Sequence, residues 1–446
     1  MKWNKDSTLF NDPYKYRWLI CGVLGIVYFF VCLHRISTTV IAQDLALEFD
    51  ADATALGLMS STYFYLYAAV QPPVGILSDS IGPRRVTTFF TFIAAAGAVL
   101  FAIAPNMTMA MVGRALIGIG AGGVFIPSVK TFSRWYRERE FASVLGIFLA
   151  VGNSGNISAS LPLTFFVLLI GWRTSFMAIG AVSFLLALVS WLIVRDIPED
   201  KGWQPIETGE NRLTASSEDM RGDISPQKRL GMVIRNPALW FLMLSMFFSG
   251  GPGLTFQGLW AVPFLMDVHG FGRLQAGGLL MVIPVGFSIG APAFGILADR
   301  IALSRKYILL LSLAIGLVSW PIFFVTRGKI DSIYIIFIFL IMGMCGGGSL
   351  SLYMTITKEL FPPWLNGTAM GLINPSAFFS AALFQPFTGF LMDAVGKSGS
   401  IYPREAYSLV LIVLFISSMI GFIFIIPLSE RRREPLKDFL PKDHQS

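Results

Sequence analysis

Apolar and polar positions along this chain are segregated into long blocks and do not show the short periods of a soluble fold. Twelve runs of about 19 to 29 mostly apolar residues are separated by polar connections: 18–42, 55–77, 87–105, 109–133, 142–168, 174–194, 238–266, 276–298, 307–326, 333–356, 367–391 and 406–428. Each is long enough to cross a hydrocarbon core of roughly 30 Å as a helix rising about 1.5 Å per residue. Backbone groups in lipid must satisfy one another, which a helix does within a single segment. The pattern therefore predicts an all-α membrane protein with 12 transmembrane helices in two six-helix pseudo-symmetric bundles. The first run is too long for a removed signal peptide and lacks its small-residue cleavage pattern, so it is read as the first helix.

One long polar stretch breaks the series. Residues 196–236 mix charges with Pro198, Pro205 and Pro226, and read as a cytoplasmic linker. It separates an N-terminal six-helix bundle (1–195) from a C-terminal six-helix bundle with a cytoplasmic tail (237–446). The halves echo each other: GILSD at 75–79 recurs as GILAD at 295–299, 220 residues on, at the end of the second helix of each half. Such repeats mark secondary carriers, with the solute site expected near mid-membrane.

Composition agrees, with only 14% charged residues and a mean hydropathy of +0.66, against roughly a quarter charged in soluble domains. The net charge of +7 is a matter of topology. With both ends on one side, 25 of the 34 Lys and Arg fall in the termini and even-numbered connections, and only six fall opposite. By the positive-inside rule both termini are cytoplasmic, in a plasma membrane or a Gram-negative inner membrane. The basic balance thus needs no nucleic-acid partner. Lipid and a small solute are the expected partners of a functional monomer. Cys21, Cys32 and Cys345 all lie in apolar runs, and His34, His269 and His444 are far apart, so neither a disulfide framework nor metal spacing is read. No cofactor is expected. With no clustered nucleophile or acid, an enzyme is not expected either.

The chemistry lies in the charges inside the spans. Arg35, Arg114 and Lys130 fall within apolar runs, whereas none of the 27 acidic residues does. A cation at that depth costs several kcal/mol, from about 2.5 upward. Without an internal carboxylate, an anion from outside is its natural partner, and arginine suits bidentate carboxylate or phosphate recognition. Arg35 shares one helical face with Tyr28, Cys32 and Thr39. The alternative is an arginine that snorkels to head groups or bonds helix carbonyls. Lys130 is either a second anion contact or a snorkelling lysine. Arg114 is an interhelical donor or a participant in proton movement. Tyr63, Tyr67 and Gln71 on the second helix, Asn153, Asn156 and Ser160 on the fifth, and Gln257 and Trp260 on the seventh are cavity candidates, with Asn374 and Gln385 on the eleventh. Helix packing by polar residues is the alternative for each. SGGPG at 249–253 is expected to loosen the seventh helix. His34, beside Arg35, is either the proton-coupling group or a packed neutral imidazole.

In the loop motif, Gly75 is expected to allow close helix contact, Gly82 a tight turn, and Asp79 a carboxylate for Arg84 or Arg137. GILSDSIGPRR (75–85) resembles the signature loop of the major facilitator superfamily, carried by Gly75, Asp79, Gly82, Arg84 and Arg85. GILADRIALSRK (295–306), with Asp299 and Arg300, is a weaker copy. GRALIGIGAGG (113–123), FSRWYREREFASVLG (132–146) and KELFPPWLNGTAMG (358–371) resemble further motifs of that superfamily. The resemblance implies alternating access with the loop residues as gate or scaffold. YFFVCLHRISTTVIAQDL (28–45) is similar to the first helix of its organophosphate and organic-anion carriers, in which an arginine binds the anion. Those organophosphate carriers have a second arginine in the seventh helix, and 247–265 has none. The expected function is a secondary active transporter of a small organic anion or zwitterion (a carboxylate, amino acid or small peptide), by proton symport or, with no proton site, as an exchanger or facilitator. Multidrug efflux and phosphate-ester exchange are the alternatives. Efflux is disfavoured because the fifth helix lacks a Gly-Pro pair and the interior lacks an acid.

Overall fold

The computed structural model describes residues 12–204, 206, 226–300, 304–326, 330–398 and 401–428. Local sequence sets where helices start. The Asp12 side chain accepts from the Tyr14 amide at 2.9 Å and Pro13 takes the first helical position, so α1 runs Pro13–Glu48. There follow α2 (Ala53–Ser80), α3 (Pro83–Ala102), α4 (Met107–Gly122), α5 (Phe125–Trp135), α6 (Glu138–Ser158), α7 (Leu161–Ile170) and α8 (Trp172–Ile193). After a short 3₁₀ turn (Pro198–Lys201) come α9 (Pro226–Ile234) and α10 (Pro237–Thr255). A π-helical turn (Phe256–Trp260) leads into α11 (Ala261–Asp267) and α12 (Arg273–Leu280). The chain ends with α13 (Val282–Arg300), α14 (Arg305–Val325), α15 (Ser332–Leu360), α16 (Pro363–Val395) and α17 (Arg404–Ile425). No strand occurs among the described residues beyond one isolated bridge, Ser398 to Ile401.

Ten of the described helical segments are long and apolar enough to cross a membrane, and the α6–α7 pair, bent by 44°, makes an eleventh. Pro162, at the start of α7, has no N–H to continue the α6 ladder, and the bend falls there. The remaining long helix, α2, is 28 residues long but carries three tyrosines and Gln71-Pro72-Pro73, and is more polar. The twelve predicted runs thus correspond to ten or eleven strongly apolar spans and this one polar helix.

The chain divides into two compact units, one of Met1–Ala51 with Leu58–Met220, the other of Asp52–Gly57 with Arg221–Ser446. The first turn of α2 groups with the second unit because Asp393 of α16 caps it, accepting from the amides of Ala53 (3.0 Å) and Thr54 (2.8 Å). Within the first unit, small residues let backbones touch. A Cβ on Gly120 of α4 would stand 2.4 Å from the Ala94 amide of α3, and one on Gly155 of α6 would stand 2.0 Å from the Phe29 carbonyl of α1. The second unit repeats the device between α13 and α15, where a Cβ on Gly290 would stand 2.0 Å from the Met344 carbonyl and one on Gly347 would stand 2.3 Å from that of Phe287. Its polar contacts include Ser245 of α10, which donates to the Gly421 carbonyl at 2.7 Å and lies 2.5 Å from the Tyr353 hydroxyl.

At the start of α1 the guanidinium of Arg17 grips Glu140 of α6 through two bonds of 2.8 and 3.1 Å. The same guanidinium lies 5.1 Å from the Tyr14 ring centre and 4.7 Å from that of Tyr136. The hydrogen bonds from Arg17 hold the Glu140 carboxyl below its ordinary value of 4.5.

Two outcomes follow for the purified protein. Gly155→Leu should lower the melting temperature markedly, since overpacking costs about 1–3 kcal/mol or more. The exposed Gly146→Ala in the same helix, with nothing within 4 Å, should not. Equal melting of Gly155→Leu and parent would disprove the close approach. Because its folded pKa is depressed, Glu140 contributes stability that is complete above the unfolded value and lost as pH falls through the folded one. Glu140→Gln should therefore flatten part of the acid limb of a melting-temperature profile; an unchanged limb would show that the pair does not contribute.

Candidate functional site

The α1 positions Tyr28, Cys32 and Arg35 share a face, and the fold brings Tyr63 and Tyr67 of α2 against it. Arg35 donates to the hydroxyls of Tyr28 and Tyr67, and its guanidinium carbon lies 5.7 Å from the Tyr67 ring centre. Tyr67 stacks on Tyr63 at 5.8 Å with an interplanar angle of 17°. The guanidinium of Arg114, from α4, lies 5.1 Å from the Tyr63 ring centre. Two arginines therefore rest against one stacked pair of tyrosine rings. Ring faces attract cations by about 0.5–2 kcal/mol each, more when water is excluded, so these rings take up part of the charge that an internal carboxylate would otherwise neutralise.

The two arginines differ in access. Arg114 is sealed, 0% exposed, and donates Nη1 to the His34 carbonyl at 3.0 Å, as expected of an interhelical donor. Arg35 stays partly accessible. His34 is 1% exposed, with its ring 6.2 Å from that of Phe176. Tyr28 stacks on Phe148 of α6 at 4.6 Å, and only a glycine at 152 leaves room for its ring. One turn from Phe148, Asn153 is buried and accepts from Asn156 at 2.8 Å. The first unit thus gathers Arg35, Tyr28, Tyr63 and Tyr67 directly, with His34 on α1 and Asn153 on α6. A guanidinium set by two tyrosine hydroxyls can take a planar carboxylate on its fork.

Other predicted residues are placed elsewhere. Lys130 of α5 is paired with Asp79 and donates to the Ser78 carbonyl at 3.0 Å, which engages it with the loop motif. Asp79 therefore has Lys130 as partner, where its basic sequence neighbours Arg84 and Arg137 were expected. The Arg84 amide donates to Asp196 at 2.6 Å, its guanidinium bonds the Trp191 carbonyl, and Arg137 reaches the Tyr14 hydroxyl at 3.3 Å. Gly82 makes the tight turn with φ +90°, and a Cβ there would meet the Asp196 carboxylate at 2.3 Å. Gly75, in contrast, has nothing within 4 Å, so it makes no close helix contact. Arg85 and Arg300 are exposed, and the side chain of Asp299 lies outside the described residues.

In the second unit α10 stays helical through Ser249–Gly253, and the irregularity falls in the next turn, at Phe256–Trp260. Pro252 has no N–H to offer the Phe248 carbonyl, and Ser417 of α17 supplies that bond at 2.9 Å. Gln257 and Trp260 both sit in the π turn, and the Trp260 indole donates to Thr388 at 2.8 Å. Such turns concentrate at functional sites. Arg17 with Glu140 escaped the sequence reading, where Arg17 counted only toward topology. The aromatic neighbours Tyr14 and Tyr136 were the signal that could have found it.

Comparison with known proteins identifies the family. The sequence model of the Major Facilitator Superfamily matches residues 24–386 and again 255–443. The probable sulfoacetate transporter SauU of Cupriavidus necator is 25% identical over 399 residues, covering 86% of this chain and 89% of that protein. The hexuronate transporter of Escherichia coli strain K12 is 23% identical over 394 residues, with the same two coverages. A probable hexose phosphate transport protein of Chlamydia pneumoniae is 22% identical over 429 residues, 92% of this chain and 93% of that protein. Among solved structures, a bacterial homolog to the human lysosomal transporter Spinster, inward-facing and unoccupied, superposes with a TM-score of 0.74 at 19% identity, over 94% of this chain and 99% of that one. On its sequence match across most of its length and on its fold, this multi-pass membrane protein belongs to the Major Facilitator Superfamily, a transporter and not an enzyme.

Proposed function

We propose that this chain moves a small organic anion by alternating access, with Arg35 as the group that holds the anion. The observation that carries the proposal is a partly accessible arginine bonded to two tyrosine hydroxyls, on helices whose membrane interior contains no Asp or Glu. The relatives support the class of solute, since sulfoacetate, hexuronate and hexose phosphate are all anions. A sugar acid or short carboxylate matches one arginine fork best. Tyr28, Tyr63, Tyr67 and Asn153 would line the same pocket. A phosphate ester is the second reading, favoured by the hexose phosphate relative and opposed by the absence of arginine in 247–265.

We assign proton coupling to His34. Arg114 bonds its carbonyl and Arg35 follows it in the chain, so two cations oppose a charge on its ring. An anion arriving at Arg35 offsets that repulsion and lets the ring take a proton, which ties proton to solute. The loop set of Asp79 with Lys130, Gly82 and Arg84 is read as the gate and its scaffold, on the cytoplasmic side by the positive-inside rule.

Proteoliposome uptake tests the assignment, with labelled glucuronate, sulfoacetate, glucose 6-phosphate and uncharged glucose as separate arms. Uptake should appear for anions and not for glucose. Arg35→Ala should lower the uptake efficiency about 100-fold, the loss expected when one partner of a buried charge pair is removed, and Arg35→Lys should retain part of it. Full uptake by Arg35→Ala would end the assignment.

A further inference from the structure

The short helix α9 (Pro226–Ile234), which no step of the proposed transport uses, presents two different surfaces. On one side Val233 is fully buried in a cluster with Leu239 of α10 and with Leu365 and Ala369 of α16, and Met232 packs against it. The helix is thereby fixed to both of these spans. Leu230 and Ile234, one turn apart, share another side and are each 40% exposed. The strip continues onto α10, where Trp240 is 46% exposed and donates its indole N–H to the Ile234 carbonyl at 2.8 Å.

Trp240 lies in the first turn of a membrane span, Pro237–Asp267. The indole bond holds Ile234 beside that turn, with Leu230 one turn further along α9. Such a turn sits where hydrocarbon gives way to headgroups, a depth that suits a tryptophan with an apolar ring and a satisfied N–H. Facing the cytosol instead, the strip would place three large apolar side chains in water. Cations flank the strip. Lys228 and Arg235 are exposed on the side of the chain away from Leu230, and the Arg229 Nε is buried with no hydrogen-bond partner among the described residues. The sequence offers no acidic residue between Asp223 and Asp267 to balance them.

We propose that α9 is an interfacial helix that binds an anionic phospholipid of the cytoplasmic leaflet. Leu230, Ile234 and Trp240 lie among the upper acyl carbons, and Lys228, Arg229 and Arg235 meet the headgroup phosphate. An apolar strip edged by cations is the surface with which a helix lies in a membrane plane. The positive-inside rule puts this end of α10 in the cytoplasmic leaflet, whose anionic headgroups attract Lys and Arg. A phospholipid matches both parts of the surface at once. Free phosphate would meet the cations alone, and a lipid without net charge would leave them uncompensated. The lipid then tethers the end of the polar linker where α10 enters the bilayer, and the contact stands whatever solute is carried.

The test uses full-length protein, in which Cys21, Cys32 and Cys345 are buried. Ile234→Cys carrying a bimane label is placed in phosphatidylcholine–phosphatidylglycerol vesicles. Bromine on the upper acyl carbons should quench the label, and aqueous iodide should not. Quenching by iodide alone puts the strip in water, and quenching by neither puts it under protein, such as the rest of the linker; either result overturns the proposal. In detergent, the melting temperature of the parent is then titrated with phosphatidylglycerol, phosphatidylcholine and inorganic phosphate. Phosphatidylglycerol should stabilise at the lowest concentration. The variant Lys228→Gln with Arg229→Gln and Arg235→Gln should need about tenfold more of it or greater, with its response to phosphatidylcholine unchanged. A triple variant that keeps the parent's preference for phosphatidylglycerol, or a parent that responds equally to inorganic phosphate, overturns the headgroup assignment.

Discussion

The structure of the first unit depends on keeping Arg35 inside apolar spans that contain no acidic residue. Tyr28 and Tyr67 accept hydrogen bonds from the guanidinium, and the Tyr67 and Tyr63 rings offer their faces to Arg35 and Arg114. Neither device cancels the charge; the hydroxyls stay neutral and the rings supply only partial negative density. The bundle therefore tolerates a net cation at that depth. On the proposed function, affinity for an anion and the cost of burying the arginine are two aspects of one electrostatic fact.

That arrangement needs helices close enough to set ring against ring. Gly152 makes room for Tyr28, Gly118 brings α4 so near that a Cβ there would stand 2.5 Å from the Tyr63 carbonyl, and Gly155 brings α6 onto α1. The stack is thus positioned by small residues that do not themselves touch the arginines. The same residues explain why a helix pattern such as GRALIGIGAGG matters: Gly113, Gly118 and Gly120 each face a neighbour's backbone, and Arg114 reaches Tyr63 because its own helix can lie that near. The second unit uses the device again between α13 and α15, which fits the internal repeat.

Much of this was legible in the residues. Span positions follow from apolarity, and the Gly82 turn from a glycine between Asp79 and Arg84. Pairings at the helix ends were not legible, because several cations compete for each carboxylate. Asp79 has Arg84 two residues beyond the turn, yet the turn aims Arg84 at Trp191 and Asp196 and leaves Asp79 to Lys130, 51 residues away. Gly75 shows the opposite error, since a motif position expected to touch a neighbour has open space beside it. In the seventh span the irregular turn was displaced from Pro252 because Ser417, remote in sequence, satisfies the freed carbonyl. Only tertiary neighbours decide such cases.

The central claim is that the solute's anionic group lies on Arg35. An experimental structure of the purified protein with glucuronate bound tests it most directly, because the location of the carboxylate is read without reference to activity. The account predicts the carboxylate within hydrogen-bonding distance of the Arg35 guanidinium, with Tyr28 or Tyr67 as a further contact. Glucuronate held in the protein with no contact to Arg35 would contradict it.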